Sequence, residues 1–197
     1  MLDERFVLLG VAFNIYGGLS YLISTVKGRT KPNRVTWFFW AVAPLLAFAA
    51  ELSKGVGWQS LMTFMVGFSP LLIFIASFVN KKSYWRLNKF DYFYGSLSLL
   101  GIILWRITGE GNLAILLAIL ADGFAGLPTI VKAYYEPTTE DYKAYLFSML
   151  SAIITLLTID QWTFAHWGFP AYIFGICAVI FVLVRFKLGL RLRKIYA

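Results

Sequence analysis

Seven stretches of about 20 largely apolar residues follow one another along this 197-residue chain, over 6–26, 35–53, 58–79, 91–107, 111–132, 143–160 and 167–186. Twenty helical residues rise about 30 Å, the thickness of a bilayer's hydrocarbon core. Inside lipid the backbone must satisfy its own N–H and C=O groups, which a helix does and an open strand does not. Ten-residue alternating segments of the β-barrel kind are absent from the sequence. The pattern predicts an all-α integral membrane protein with seven transmembrane helices. Composition agrees: 59% of residues are hydrophobic and 14% charged, more apolar surface than one soluble core hides. The amino-terminal MLDERFVLLG lacks the basic region and cleavage site of a secretory signal, so the first span is expected to stay as helix 1.

A net charge of +8 could point to nucleic acid, but its placement excludes that reading. With seven spans, Arg5, Lys54 and Arg106 fall on one face of the membrane. The other fifteen of the 18 Lys and Arg fall opposite, in 27–34, 81–89, 132–143 and 185–194. Positive charge is retained in the cytoplasm, which predicts a cell (inner) membrane protein with its amino terminus outside and its carboxyl terminus inside. The basic tail RFKLGLRLRK then reads as a juxtamembrane anchor to anionic lipid. Cys177, the only cysteine, lies in the seventh span and reads as a small packing residue.

Sliding the chain against itself by 108 residues superposes spans 1–3 on spans 5–7. Gly18 falls on Gly126, Gly67 on Gly175, Phe39 on Phe147, and Asn14 on Asp122. An odd helix between the copies lets both enter the membrane in the same direction, which gives two parallel three-helix bundles in a 3+1+3 arrangement. The expected division is a first repeat over 1–80, linker helix 4 within 81–110, a second repeat over 111–188, and a basic tail over 189–197.

The seven spans, the outside amino terminus and the stretch LPTIVKAYYEPTTE resemble the PQ-loop and SWEET clan, as a seven-helix member of prokaryotic type. In that clan a proline late in the first helix of each repeat precedes a short polar loop. Here Pro128 is followed by Thr129 rather than Gln, and Ser20 stands at the equivalent position of repeat one. Around Gly67 and Gly175 the chain has Thr63, Ser69, Tyr172 and Cys177 in place of the asparagines of the SWEET sugar site. The resemblance implies a small-solute carrier, or a ligand receptor built on the same fold.

Asp122 is the one charged residue between Gly111 and Val131. An ionised carboxylate at mid-membrane costs about 2.5–3.5 kcal/mol on insertion scales, so it should face the bundle interior and serve a solute or a proton. At helical spacing Asp122 shares a face with Gly126 and Thr129, and Asn14 with Gly18 and Tyr21. The alternative is packing, with Asp122 joined to Asn14 to hold helix 5 on helix 1. On helix 2, Trp37, Trp40 and Pro44 form a stripe whose counterparts on helix 6 are Tyr145, Ser148 and Ala152. An aromatic belt at the membrane interface accounts for Trp37, Phe38 and Tyr145. Trp40 and Ser148, a turn deeper, read as pocket lining. The candidate substrate-binding residues are therefore Asp122, Asn14, Trp40, Ser148, Tyr21 and Thr129.

Pro44, Pro70 and Pro128 lie within spans and are candidate hinges or static kinks. Gly17, Gly18, Gly67, Gly126 and Gly175 read as close helix contacts. Arg106 and Lys132, at span ends, are expected to snorkel to the interface. His166 is expected at the outer edge of helix 7, and Thr138 or Thr139 before Glu140 and Asp141 reads as a helix cap. No His and carboxylate cluster has metal spacing and no nucleophile has an evident base, so no metal, cofactor or enzymatic activity is expected. The reading is a membrane transporter for a small polar solute, working by alternating access and coupled to protons through Asp122. A receptor or sensor, or a membrane assembly subunit, is the alternative, and the chain could act as a monomer or homo-oligomer.

Overall fold

The computed structural model describes residues 2–195. It contains eight α-helices and two short 3-10 turns, with no strand among the described residues. They are α1 Val7–Val26, α2 Arg34–Ser53, α3 Ser60–Ala76, α4 Lys89–Thr108, α5 Gly111–Tyr135, α6 Tyr142–Thr158, α7 Phe164–Phe186 and α8 Leu188–Ile195. The first seven match the apolar stretches to within a few residues. The membrane-length criterion is stricter: α1 with its leading turn (Glu4–Val26), α2, α5 and α7 are long and apolar enough to cross a bilayer. Helices α3 and α6 are apolar but have 17 residues each, about 25 Å of rise. The chain is a multi-pass membrane protein.

Side chains at the loop ends set the helix starts. The Asn33 carboxamide accepts the amides of Val35 and Thr36 and so begins α2. Asn88 and Asp91 exchange side-chain and backbone bonds as a capping box for α4. Glu110 accepts the amides of Asn112 and Leu113 at the start of α5. These bonds, Leu113 first and Asn112 next, hold the Glu110 carboxyl below the ordinary carboxylate range. At α6 the cap is Asp141, which accepts the Lys143 amide, and not a threonine: the Thr139 hydroxyl donates to the Glu136 carbonyl.

Six helices close a ring, with α1 on α3, α3 on α2, α2 on α5, α5 on α7, α7 on α6, and α6 back on α1. Among the described residues the α1 backbone does not pack closely on α2, nor α5 on α6, because α3 and α7 stand between them. Helix α4 packs outside the ring, against α5 and α2. The buried core runs through the ring on Trp37, Trp40, Tyr145, Phe169 and Ile173. Large apolar side chains such as Leu8, Ile15, Ile23, Phe90 and Ile107 point outward, as a lipid-facing surface requires.

The basic tail is not simply an interfacial anchor. Lys187, in the left-handed region at φ 51°, turns the chain out of α7. Helix α8 then docks on the end of α5, so closely that a β-carbon on Gly189 would collide with the Tyr134 carbonyl oxygen. Arg193 donates to the Tyr135 carbonyl at 3.0 Å and stacks over the Tyr135 ring. Residues 196–197 of the tail lie outside the described residues.

Candidate functional site

The ring surrounds a cavity of about 60 Å³, space for a few water-sized groups. All six ring helices contribute: Asn14 from α1, Trp37 and Trp40 from α2, Ser69 and Pro70 from α3, Asp122 from α5, Tyr145 and Ser148 from α6, and Ile173 and Cys177 from α7. Of the residues singled out from the sequence, Asp122, Asn14, Trp40 and Ser148 therefore meet at one place.

Asp122 is 2% exposed, and its Oδ2 accepts the Tyr172 hydroxyl at 2.6 Å. Its backbone carbonyl accepts the Trp40 indole N–H at 3.1 Å, a bond that joins α2 to α5. Oδ1 is buried without a partner. Asn14 is arranged in parallel: its Oδ1 accepts the Ser148 hydroxyl at 3.1 Å, and its Nδ2 is buried without a partner. The direct Asp122–Asn14 bond of the packing alternative does not form, because α1 and α5 are not in contact and the cavity lies beside both residues. What remains is one free acceptor and one free pair of donor hydrogens on the same cavity, each a buried group that native structures normally satisfy.

The aromatic wall corrects the interfacial belt. Trp37 and Tyr145 are each 3% exposed, whereas Phe38 at 43% does face outward. Trp37 packs edge-on against Trp40 at 5.4 Å and lies 4.5 Å from the Tyr21 ring. Tyr21 and Thr129 share the helix faces of Asn14 and Asp122 but stand below the cavity: Tyr21 donates to Glu140 at 2.8 Å, and the Thr129 hydroxyl is buried without a partner.

Pro44, Pro70 and Pro128 are buried inside α2, α3 and α5, joined by Pro170 in α7. Pro44 and Pro70 each deprive a carbonyl four residues earlier, those of Trp40 and Val66, of its helical donor, and both those residues line the cavity. The glycines divide. Gly18 abuts Ser69, Gly126 abuts Trp40 and Ile176, Gly17 abuts Phe147, and Gly67 lies on the Ala41 carbonyl and Leu45, but Gly175 faces open space.

Three polar features escaped the sequence reading. Lys132 does not snorkel: its side chain is fully buried, paired with Glu140, hydrogen-bonded to the Lys31 carbonyl and lying 5.0 Å from the Trp85 ring. Glu140 in turn accepts the hydroxyls of Tyr21 and Tyr145, the latter at 2.6 Å. Glu51 near the end of α2 is a second buried acid, 1% exposed, with a 3.0 Å bond from Thr63. His166 stands in the first turn of α7, at the edge of the span as expected, but is buried, and its Nδ1 bonds the Thr163 hydroxyl at 2.7 Å. The polar stripe Ser20, Tyr21, Ser24 on α1 was the available signal for the Lys132 and Glu140 cluster; Glu51 and His166 had none beyond their residue type.

Among the described residues no three His, Cys, Asp or Glu side chains gather as a metal site. In comparisons with known proteins no family model, no curated protein and no solved structure matches the chain.

Proposed function

We propose that the chain is a carrier for a small polar solute, bound at the central cavity and released to either side as two three-helix repeats rock about it. The observation that carries this reading is the pair of unpartnered atoms, Asp122 Oδ1 and Asn14 Nδ2, on one cavity at the middle of the ring. They ask for a ligand with a donor or cationic end and an acceptor end. Trp37, Trp40 and Tyr145 add π faces that favour a cation. A small hydroxylated amine or amino acid has that chemistry, and Asp122 can alternately hold a proton.

The helix starts support two repeats. α2 begins at 34 and α6 at 142, which is the 108-residue offset of the sequence alignment. Exchanging α1–α3 for α5–α7 carries every contact of the ring onto another contact of the ring. Trp37 is exchanged with Tyr145 and Asn14 with Asp122, so both pairs sit at matching positions on the cavity. The fifteen-to-three charge asymmetry supports a cytoplasmic carboxyl terminus. The resemblance to the PQ-loop and SWEET clan points the same way.

The test is uptake by the reconstituted protein in liposomes from a panel of small amines, amino acids and sugars, with and without a pH gradient. Saturable uptake of an amine or amino acid, lost in Asp122→Asn, is expected. Binding without flux identifies a receptor on the same fold. Neither binding nor flux, in wild type and variant alike, refutes a solute site.

A further inference from the structure

We propose that the loop between α5 and α6 is a latch that closes the cavity toward the face carrying residues 132–141, with Glu140 and Asp141 as its catch. The proposal rests on the reading of the central cavity as a binding site. Below Trp37 and Tyr145, which line the cavity, comes the Tyr21 ring, and below that Glu140. A solute leaving on this side would have to displace that layer.

The bonds of the layer run mainly between the two sets of helices. Glu140 accepts Tyr21 of α1 as well as Tyr145 of α6, and pairs with Lys132 of α5. Asp141 accepts Ser20 and Ser24 of α1 at 2.7 and 3.2 Å. Lys132 also donates to the Lys31 carbonyl, and the Lys31 amide donates to the Thr139 carbonyl at 3.0 Å. Residues 20–31 are thus tied to 132–141 by five bonds, three of them to a charged carboxylate and one from a buried ammonium. Charge-assisted bonds in a dry layer are the strong kind, and a half-broken buried pair is costly.

The opposite end is closed differently. There Gln59 donates to the Thr158 carbonyl at 3.3 Å and the Leu2 amide to the Leu157 carbonyl at 2.9 Å, both neutral bonds, and the Lys54–Glu110 ion pair at 3.3 Å is exposed to water, where such a pair contributes little. The side with the latch is therefore the harder to open. Its release, through loss of either the Lys132 pair or the Tyr21 bond, is the step that exposes the cavity on that face.

Cys177 lines the cavity and is the only cysteine, so the protein carries its own reporter. The experiment applies a small membrane-impermeant methanethiosulfonate to the full chain in right-side-out and inside-out vesicles. The wild type should label slowly from the face of residues 132–141. Glu140→Gln should speed labelling from that face at least tenfold, and Tyr21→Phe, which keeps the ring, about fivefold. Labelling from the other face should not change. Should Glu140→Gln fail to fold, Tyr21→Phe and Ser24→Ala carry the test. Unchanged labelling in variants that elute like the wild type overturns the latch, and so does an equal increase from both faces. No solute flux enters the measurement, so a failure here is distinct from a failure of the carrier reading.

Discussion

Replacing Tyr172 with Phe isolates the bond that orients Asp122. The ring stays, with its edge-on contact to Phe169 and its ordinary packing against Gly123, so only the hydroxyl is lost. Among the described residues that hydroxyl is the one side-chain donor to Asp122, at 2.6 Å on Oδ2, and Oδ1 is already without a partner. The variant leaves both carboxyl oxygens with no fixed donor, free to rotate in the cavity. A hydrogen bond to a charged group contributes about 1.5–3 kcal/mol, and 1.4 kcal/mol is tenfold in an equilibrium constant. Affinity for an amine that pairs with Asp122 should fall about 10- to 150-fold. The matching change on the other side of the cavity, Ser148→Ala, removes a neutral bond to Asn14 at 3.1 Å. A neutral bond contributes about 1 kcal/mol, so about fivefold is expected there. Calorimetric titration of the best amine from the uptake panel, on protein in nanodiscs, measures both. If Tyr172→Phe binds within twofold of wild type, or loses less than Ser148→Ala, Asp122 does not hold the ligand in the manner described.

Two further outcomes follow from particular contacts. Gly67→Ala places a methyl 2.7 Å from Leu45 Cγ and 3.0 Å from the Ala41 carbonyl, an overpacking of about 1–3 kcal/mol, whereas Gly175→Ala, its mate at the 108-residue offset, meets open space. Melting in detergent should fall for the first and hold or rise for the second; equal losses would refute the close approach of α2 and α3. For the α5 cap, the Glu110 carboxyl is held below its ordinary range, so its contribution is full above the unfolded value and is lost as pH falls through the folded one. The wild type should out-melt Glu110→Ala at neutral pH and converge with it in acid, and an advantage that grows on acidification would show the sign to be wrong.

The positions of helices and the middle of the site were legible because both follow from transfer into lipid. Apolar runs gave the extents of α1 to α7, and the cost of a carboxylate at mid-membrane singled out Asp122. The offset of 108 put Asn14 opposite it, and both indeed line one cavity. Which neighbour each would bond was not legible, because that depends on α7 and α6 lying between the others in the ring, and spacing along the chain carries no ring order. Lys132 and Glu140 were misread for a related reason. At the end of a span a charge normally reaches water, and only the inward turn of 136–141 over the end of α1 buries both. The tail helix α8 was missed because eight residues, apolar and basic by turns, form a stable helix only against a partner, here the end of α5.

Trp37 and Trp40 are two of the chain's seven tryptophans, and both wall the cavity. Trp37 is also in ring contact with Tyr21, and the Trp40 indole N–H is committed to the carbonyl of Asp122. An indole so placed emits according to the dipoles beside it. Entry of water should move that emission to the red, and a solute that displaces water should move it back. The cavity thus has an intrinsic optical signal: filling can be followed on the unlabelled protein, and the time course would separate solute arrival from any slower rearrangement of the helices.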